Sequence, residues 1–150
     1  MADSAGFATA PVRTNYLAIL AAAVAYYVIE AVWFKVLGDA WLSALGTNLS
    51  EMLAKISDRP TWPLYVGAFI CNLIIALVMA WVFSQARVRT AIAGIQWGVM
   101  LWLGFVATVV FTNYSFELRH PRLMLIDAGC PLLGLIVAGA IIGGWQKKSS

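Results

Sequence analysis

Residues 90–145, TAIAGIQWGVMLWLGFVATVVFTNYSFELRHPRLMLIDAGCPLLGLIVAGAIIGGW, decide the fold. Thr90 to Phe116 contains no Asp, Glu, Lys or Arg, and the run from Leu123 to Trp145 contains only Asp127. Between them lies a short charged hinge, Glu117-Leu118-Arg119-His120-Pro121-Arg122. A helix rises 1.5 Å per residue, so about 20 apolar residues cross the roughly 30 Å hydrocarbon core of a bilayer. Both runs reach that length, and together they read as a membrane hairpin with one carboxylate about a turn inside its second arm.

Working outward, Pro63 to Ser84 is another charge-free run, with Tyr65 and Trp81 at its two ends as interfacial aromatics. Asn15 to Leu37, rich in Ala and aromatics, is the first span. A signal peptide with a cleavage site near Ala23-Val24-Ala25 fits less well, because the apolar core continues through Tyr26, Tyr27, Val28 and Ile29. The expected spans are therefore 15–37, 63–84, 90–116 and 123–145, within one domain over 15–150. Residues 1–14 read as a disordered tail. The fold class expected is an all-α, up-down, integral membrane four-helix bundle.

Gly38 to Pro60 is the longest connection. Leu42, Leu45, Leu49, Met52, Leu53 and Ile56 recur in it at helical steps. Asn48 with Glu51 three residues on forms a capping-box-like start, and Pro60 a stop. The expectation is a short interfacial amphipathic helix, with Trp41 and Trp62 as headgroup-level anchors.

Composition agrees with a membrane location. Hydrophobic residues make up 62% of the 150 and charged ones 11%, against about 25% charged in soluble domains. The net charge of +3 comes from Lys and Arg in flanks and turns, so it does not point to nucleic acid. Those cations divide evenly between the two sides, and termini in the cytoplasm are the favoured orientation. Cys71 and Cys130 lie in separate apolar runs and read as small hydrophobes, not as a redox pair or a metal site.

Ionisable groups inside spans are costly and are candidates for function. Glu30 and Asp127 are the two here. Counted along an up-down bundle, they sit at similar shallow depth on one side, with Asn113, Tyr114, Glu117 and His120. Asn72 lies deeper in the second span. The expectation is a polar pocket formed by Glu30, Asn72, Asn113, Tyr114, Glu117 and Asp127. The structural alternatives are that Asp127 satisfies the start of its own helix, and that Glu30 bonds Tyr26 or Tyr27 or pairs with an Arg of the hinge. Gly94 and Gly98, like Gly139 and Gly143, form G-x-x-x-G pairs that let helices approach closely, within one chain or between chains. Pro131 should kink the last helix near Gly129. Phosphate-cradling loops, Ser-His-Asp or Cys-His arrangements and zinc signatures are missing, so no catalytic residue, metal or cofactor is expected.

The order of several motifs resembles the DUF1761 family of small bacterial membrane proteins. The motifs are Asn15-Tyr16-Leu17-Ala18, Trp33-Phe34 with Leu37-Gly38 and Trp41, and Leu103-Gly104-Phe105-Val106. Asn113-Tyr114-Ser115-Phe116-Glu117 and Leu125-Ile126-Asp127-Ala128-Gly129 complete the set. The resemblance implies a multi-pass fold in a bacterial inner membrane. It carries no activity. Glu30, where the family often has Gly, and Cys130-Pro131, where it often has Tyr-His, depart from the pattern, which implies that Glu30 is not a family-wide functional residue.

The functional expectation is a non-enzymatic accessory or small-ligand/lipid-binding protein. Its partners are the lipid bilayer, a lipid or small apolar ligand, and a second copy of the chain in a homo-oligomer. An oligomeric transporter or channel subunit is the first alternative. The second is an intramembrane enzyme acting on a lipid or isoprenoid, with Glu30 and Asp127 as acid and base.

Overall fold

A computed structural model describes residues 15–145; the expected disordered tail and the basic Lys147-Lys148 end lie outside them. The described residues contain helices and no strand: α1 (Tyr16–Ala44), α2 (Leu49–Ile56), α3 (Trp62–Gln85), α4 (Ala91–Leu101), a π-helical stretch (Trp102–Ala107), α5 (Thr108–Phe116) and α6 (Pro121–Gly144). Four continuous helical segments, Tyr16–Ala44, Trp62–Gln85, Ala91–Phe116 and Pro121–Gly144, are long and apolar enough to cross a membrane. The protein is a multi-pass membrane protein, with a short helix between the first two spans.

Side chains set the helix starts. Asn15, Asn48 and Thr90 cap α1, α2 and α4 by accepting from backbone N–H groups three residues on. At α2 the cap is reciprocal: Glu51 N–H donates to Asn48 Oδ1 at 3.0 Å, and Asn48 Nδ2 donates to Glu51 Oε1 at 2.9 Å. Three helices end on a residue in the left-handed region: Gly46 (φ 74), Arg87 (φ 55) and Leu118 (φ 53). In each case the next N–H folds back on the helix, Thr47 on the Leu42 carbonyl, Val88 on Phe83 and Arg119 on Tyr114.

α6 lies in the middle. It packs on α1 and on the third span, while α3 packs mainly on α1 and to a lesser extent on α6. Both α6 interfaces run antiparallel. Against α1, Asn15 Nδ2 donates to the Trp145 carbonyl at 2.9 Å, the Tyr26 ring covers Gly134, and Trp33 covers Gly129. Against α4, Gly94 meets Gly139, Gly98 meets Leu135, and Thr90 meets Gly143, backbone to backbone. The core between α1, α3 and α6 is built from Ala22, Ala23, Tyr26, Ala76, Phe83 and Ala138 with their neighbours. Small residues dominate because helix association in lipid rests on close approach, not on water exclusion.

Two features depart from the sequence expectation. α1 does not stop at Leu37; it continues through Gly38 and Asp39 to Ala44, burying Leu42 and turning Trp41 towards α6. Those tertiary contacts outweigh the roughly 1 kcal/mol that glycine costs inside a helix. Trp41 is therefore not a headgroup anchor of the connecting helix, although Trp62 does stand exposed at the start of α3. The second departure is the π-helical stretch in a span expected to be uniform. In an unbroken α-helix Gly98 and Tyr114 would face about 160° apart at about 100° per residue. A π-bulge inserts one residue and takes back about one such step, so both residues reach α6.

Candidate functional site

Three indole N–H groups converge on three consecutive residues of α6. Trp33 Nε1 donates to the Ile126 carbonyl at 3.1 Å, Trp41 Nε1 to Asp127 Oδ1 at 2.8 Å, and Trp102 Nε1 to the Ala128 carbonyl at 2.7 Å. The convergence lies one turn before Pro131, which has no N–H to give to the carbonyl of Asp127. Indole donors from α1 and from the π-helical stretch thus engage the carbonyls on either side of that loosened position. The other Asp127 oxygen, Oδ2, accepts from the Tyr114 hydroxyl of α5 at 2.7 Å. Both carboxylate oxygens are engaged, by donors from two different spans.

Glu30 belongs to a separate group. Its Oε2 accepts from Asn72 Nδ2 of α3 at 2.6 Å, and the Asn72 side chain is buried at 2% exposure. Asn72 stands ten residues into α3, roughly 15 Å from its start at 1.5 Å per residue. Glu30 therefore joins Asn72, the residue the sequence places deeper in the second span, and shares no hydrogen bond with the Asp127 group. Its partner is neither a tyrosine one turn back nor an arginine of the hinge, since Arg119 pairs with Glu117 at 2.8 Å. Asn113 and Glu117 are exposed and join neither group. Exposed His120 caps α6, its Nδ1 accepting from Arg122 N–H at 3.1 Å. Buried Cys130 lies within electrostatic range of both carboxylates.

Glu30 also lines a cleft of about 330 Å³ between α1 and α3, with Tyr27, Ala31, Phe34, Tyr65 and Ala68. Among the described residues Oε1 has no hydrogen-bond partner, and no buried side-chain polar atom lacks one, so Oε1 is not sealed. Two walls are braced from behind: the Tyr27 ring stands edge-on to Phe69 with centroids 5.9 Å apart, and Phe34 edge-on to Trp41 at 5.6 Å. Trp41 thus touches both groups, through its N–H to Asp127 and its ring to Phe34. A second cleft of about 380 Å³, wholly apolar, lies on α1 between Val28 and Leu37 against Leu133 of α6. Among the described residues no three His, Cys, Asp or Glu side chains come together in a way that could hold a metal ion.

Sequence reading set Tyr114 beside Asp127, but it did not single out the three indole donors of that group. Trp33, Trp41 and Trp102 carry the same signature as interfacial tryptophans, and only the helical phase separates the two roles. A phase check was available, since Trp33 and Trp41 fall eight residues apart on one face of α1.

The model of a family described as "Protein of unknown function (DUF1761)" matches residues 17–143, most of the chain. No curated protein and no solved structure matches it.

Proposed function

The chain belongs to the DUF1761 family, and from that premise we propose that it is a non-enzymatic membrane protein that binds a small amphipathic molecule or lipid. The site is the cleft between α1 and α3. The observation that carries this reading is the Glu30 carboxylate, tied on one oxygen by Asn72 and set in the lining of an otherwise apolar, aromatic-lined space. About 330 Å³ falls at the lower end of small-ligand sites, which are mostly apolar with a few placed polar groups. Asp127 serves the scaffold on this reading, because both its oxygens are taken by the chain. We place the protein in a bacterial cytoplasmic membrane with its termini in the cytoplasm and α2 lying at the opposite surface.

Native mass spectrometry after gentle release from its own membrane tests the binding reading. Wild type should retain a defined bound mass, and Ala68→Trp, which fills the cleft from an only partly buried position, should lose it. Wild type without any bound mass, or equal retention by both proteins, would overturn the reading.

A further inference from the structure

The chemistry of the cleft narrows the class of molecule it takes. Glu30 has no cationic partner: among the described residues the ion pair present is Arg119–Glu117. Lys35 lies five residues on, about 140° around the helix at about 100° per residue, and is exposed. A carboxylate that stays ionised within the bilayer needs a counter-group, and Asn72 supplies one hydrogen bond but no charge. The walls supply what a cation uses besides a carboxylate. Tyr27, Phe34 and Tyr65 put three aromatic rings around the same space, and ring faces attract ammonium groups, most strongly where water is excluded. Phe69 and Trp41 hold two of those rings from behind. Ala31 and Ala68 keep the space between them open.

We propose that the α1–α3 cleft is a site for lipophilic cations, an ammonium group with apolar substituents, in which Glu30 supplies the counter-charge and the three rings enclose the cationic head. An anionic or neutral amphiphile of the same shape would leave the carboxylate opposed or unpaired, so the site selects by charge and not by apolar fit alone. Tyr65 is 63% exposed and only three residues into α3, so the cleft begins near the membrane surface and reaches inwards to Glu30. This inference rests on the binding reading above, and its test separates the two.

The test is saturable binding of radiolabelled octyltrimethylammonium to full-length protein in lipid nanodiscs, with nonanol and nonanoate as neutral and anionic competitors. The expected result is one saturable site, displaced by unlabelled cation and not by either competitor. Glu30→Gln, which keeps an oxygen for Asn72, should weaken binding at least tenfold. Tyr65→Leu, at an exposed position where folding is insensitive, should weaken it several-fold. If nonanol competes as well as the cation, or if Glu30→Gln and Tyr65→Leu both bind like wild type, the cation inference falls while amphiphile binding stands. If no probe binds saturably and no mass is retained in the native spectrum, both readings fall together.

Discussion

The indole Nε1 of Trp41 donates to Oδ1 of Asp127 at 2.8 Å, joining the last turns of α1 to the second turn of α6. Tyr114 engages the other oxygen from α5, so one carboxylate ties three spans at the same level. Charge-assisted bonds of this kind contribute about 1.5–3 kcal/mol in soluble proteins, and neutral bonds between membrane helices average nearer 0.6. Trp41→Phe keeps an aromatic ring against Phe34 and removes the donor with the second ring of the indole, so it should cost about 1–2 kcal/mol in denaturant unfolding from mixed micelles. Combined with Asp127→Asn in a double-mutant cycle, it should show a coupling above about 0.5 kcal/mol. Strictly additive losses would mean that the bond does not contribute to holding α1 on α6.

The Asn72–Glu30 contact should behave differently, because one partner is fully buried and the other faces the cleft. Asn72→Leu leaves the carboxylate without its 2.6 Å donor and is expected to cost about 1–3 kcal/mol. Replacing both residues with leucine removes the polar pair altogether and should recover most of that loss. The check is the unfolding midpoint of the single and double variants side by side. A double variant as unstable as Asn72→Leu alone would show that the pair is not an energetic unit.

These two pairs also show where sequence reading stops. The number of spans, the amphipathic Leu49–Ile56 helix and its Asn48–Glu51 cap were all legible, because they depend on local periodicity, length and capping chemistry. Asn72 and Tyr114 were gathered with Glu30 and Asp127, but the specific pairings Glu30–Asn72 and Asp127–Trp41 were not legible, because a pairing across 42 or 86 residues depends on how helices rotate against each other. Gly38 and Asp39 looked like the end of α1, so Trp41 was placed in the wrong element. The π-helical stretch has no residue signature. Its trace in the sequence is a phase conflict, since Gly94 and Gly98 belong to one face and Tyr114 to nearly the opposite one.

Leu118 presents a local conflict of another kind. Its backbone sits at φ 53, where a β-carbon is crowded and glycine is at home, and its side chain is 90% exposed, so it packs on little. Leu118→Gly should therefore leave stability unchanged or raise it by up to about 1 kcal/mol, the relief of a left-handed residue partly offset by a looser unfolded chain. Unfolding in the same micelles is the readout, and a loss larger than about 1 kcal/mol would show that the leucine side chain anchors the turn.

The glycines of the α4–α6 interface make the sharpest contrast. A β-carbon on Gly94 would run into the carbonyl of Gly139, and one on Gly139 into the carbonyl of Gly94. Both obstacles are backbone, so neither can swing aside as a side chain would, and the helices must separate. Overpacking of this sort costs about 1–3 kcal/mol, and separation would also weaken the bonds from Trp102 and Tyr114 that lie further along the same pair of helices. Gly67, in the second turn of α3, has nothing within 4 Å of its would-be β-carbon, and alanine there should gain about 0.5–1 kcal/mol from helix propensity. Gly94→Ala and Gly67→Ala should thus shift unfolding in opposite directions. Because the Gly94–Gly139 contact lies within one chain, the loss in Gly94→Ala should persist unchanged when the protein is diluted in detergent. A loss that disappears on dilution would assign these glycines to contacts between copies instead.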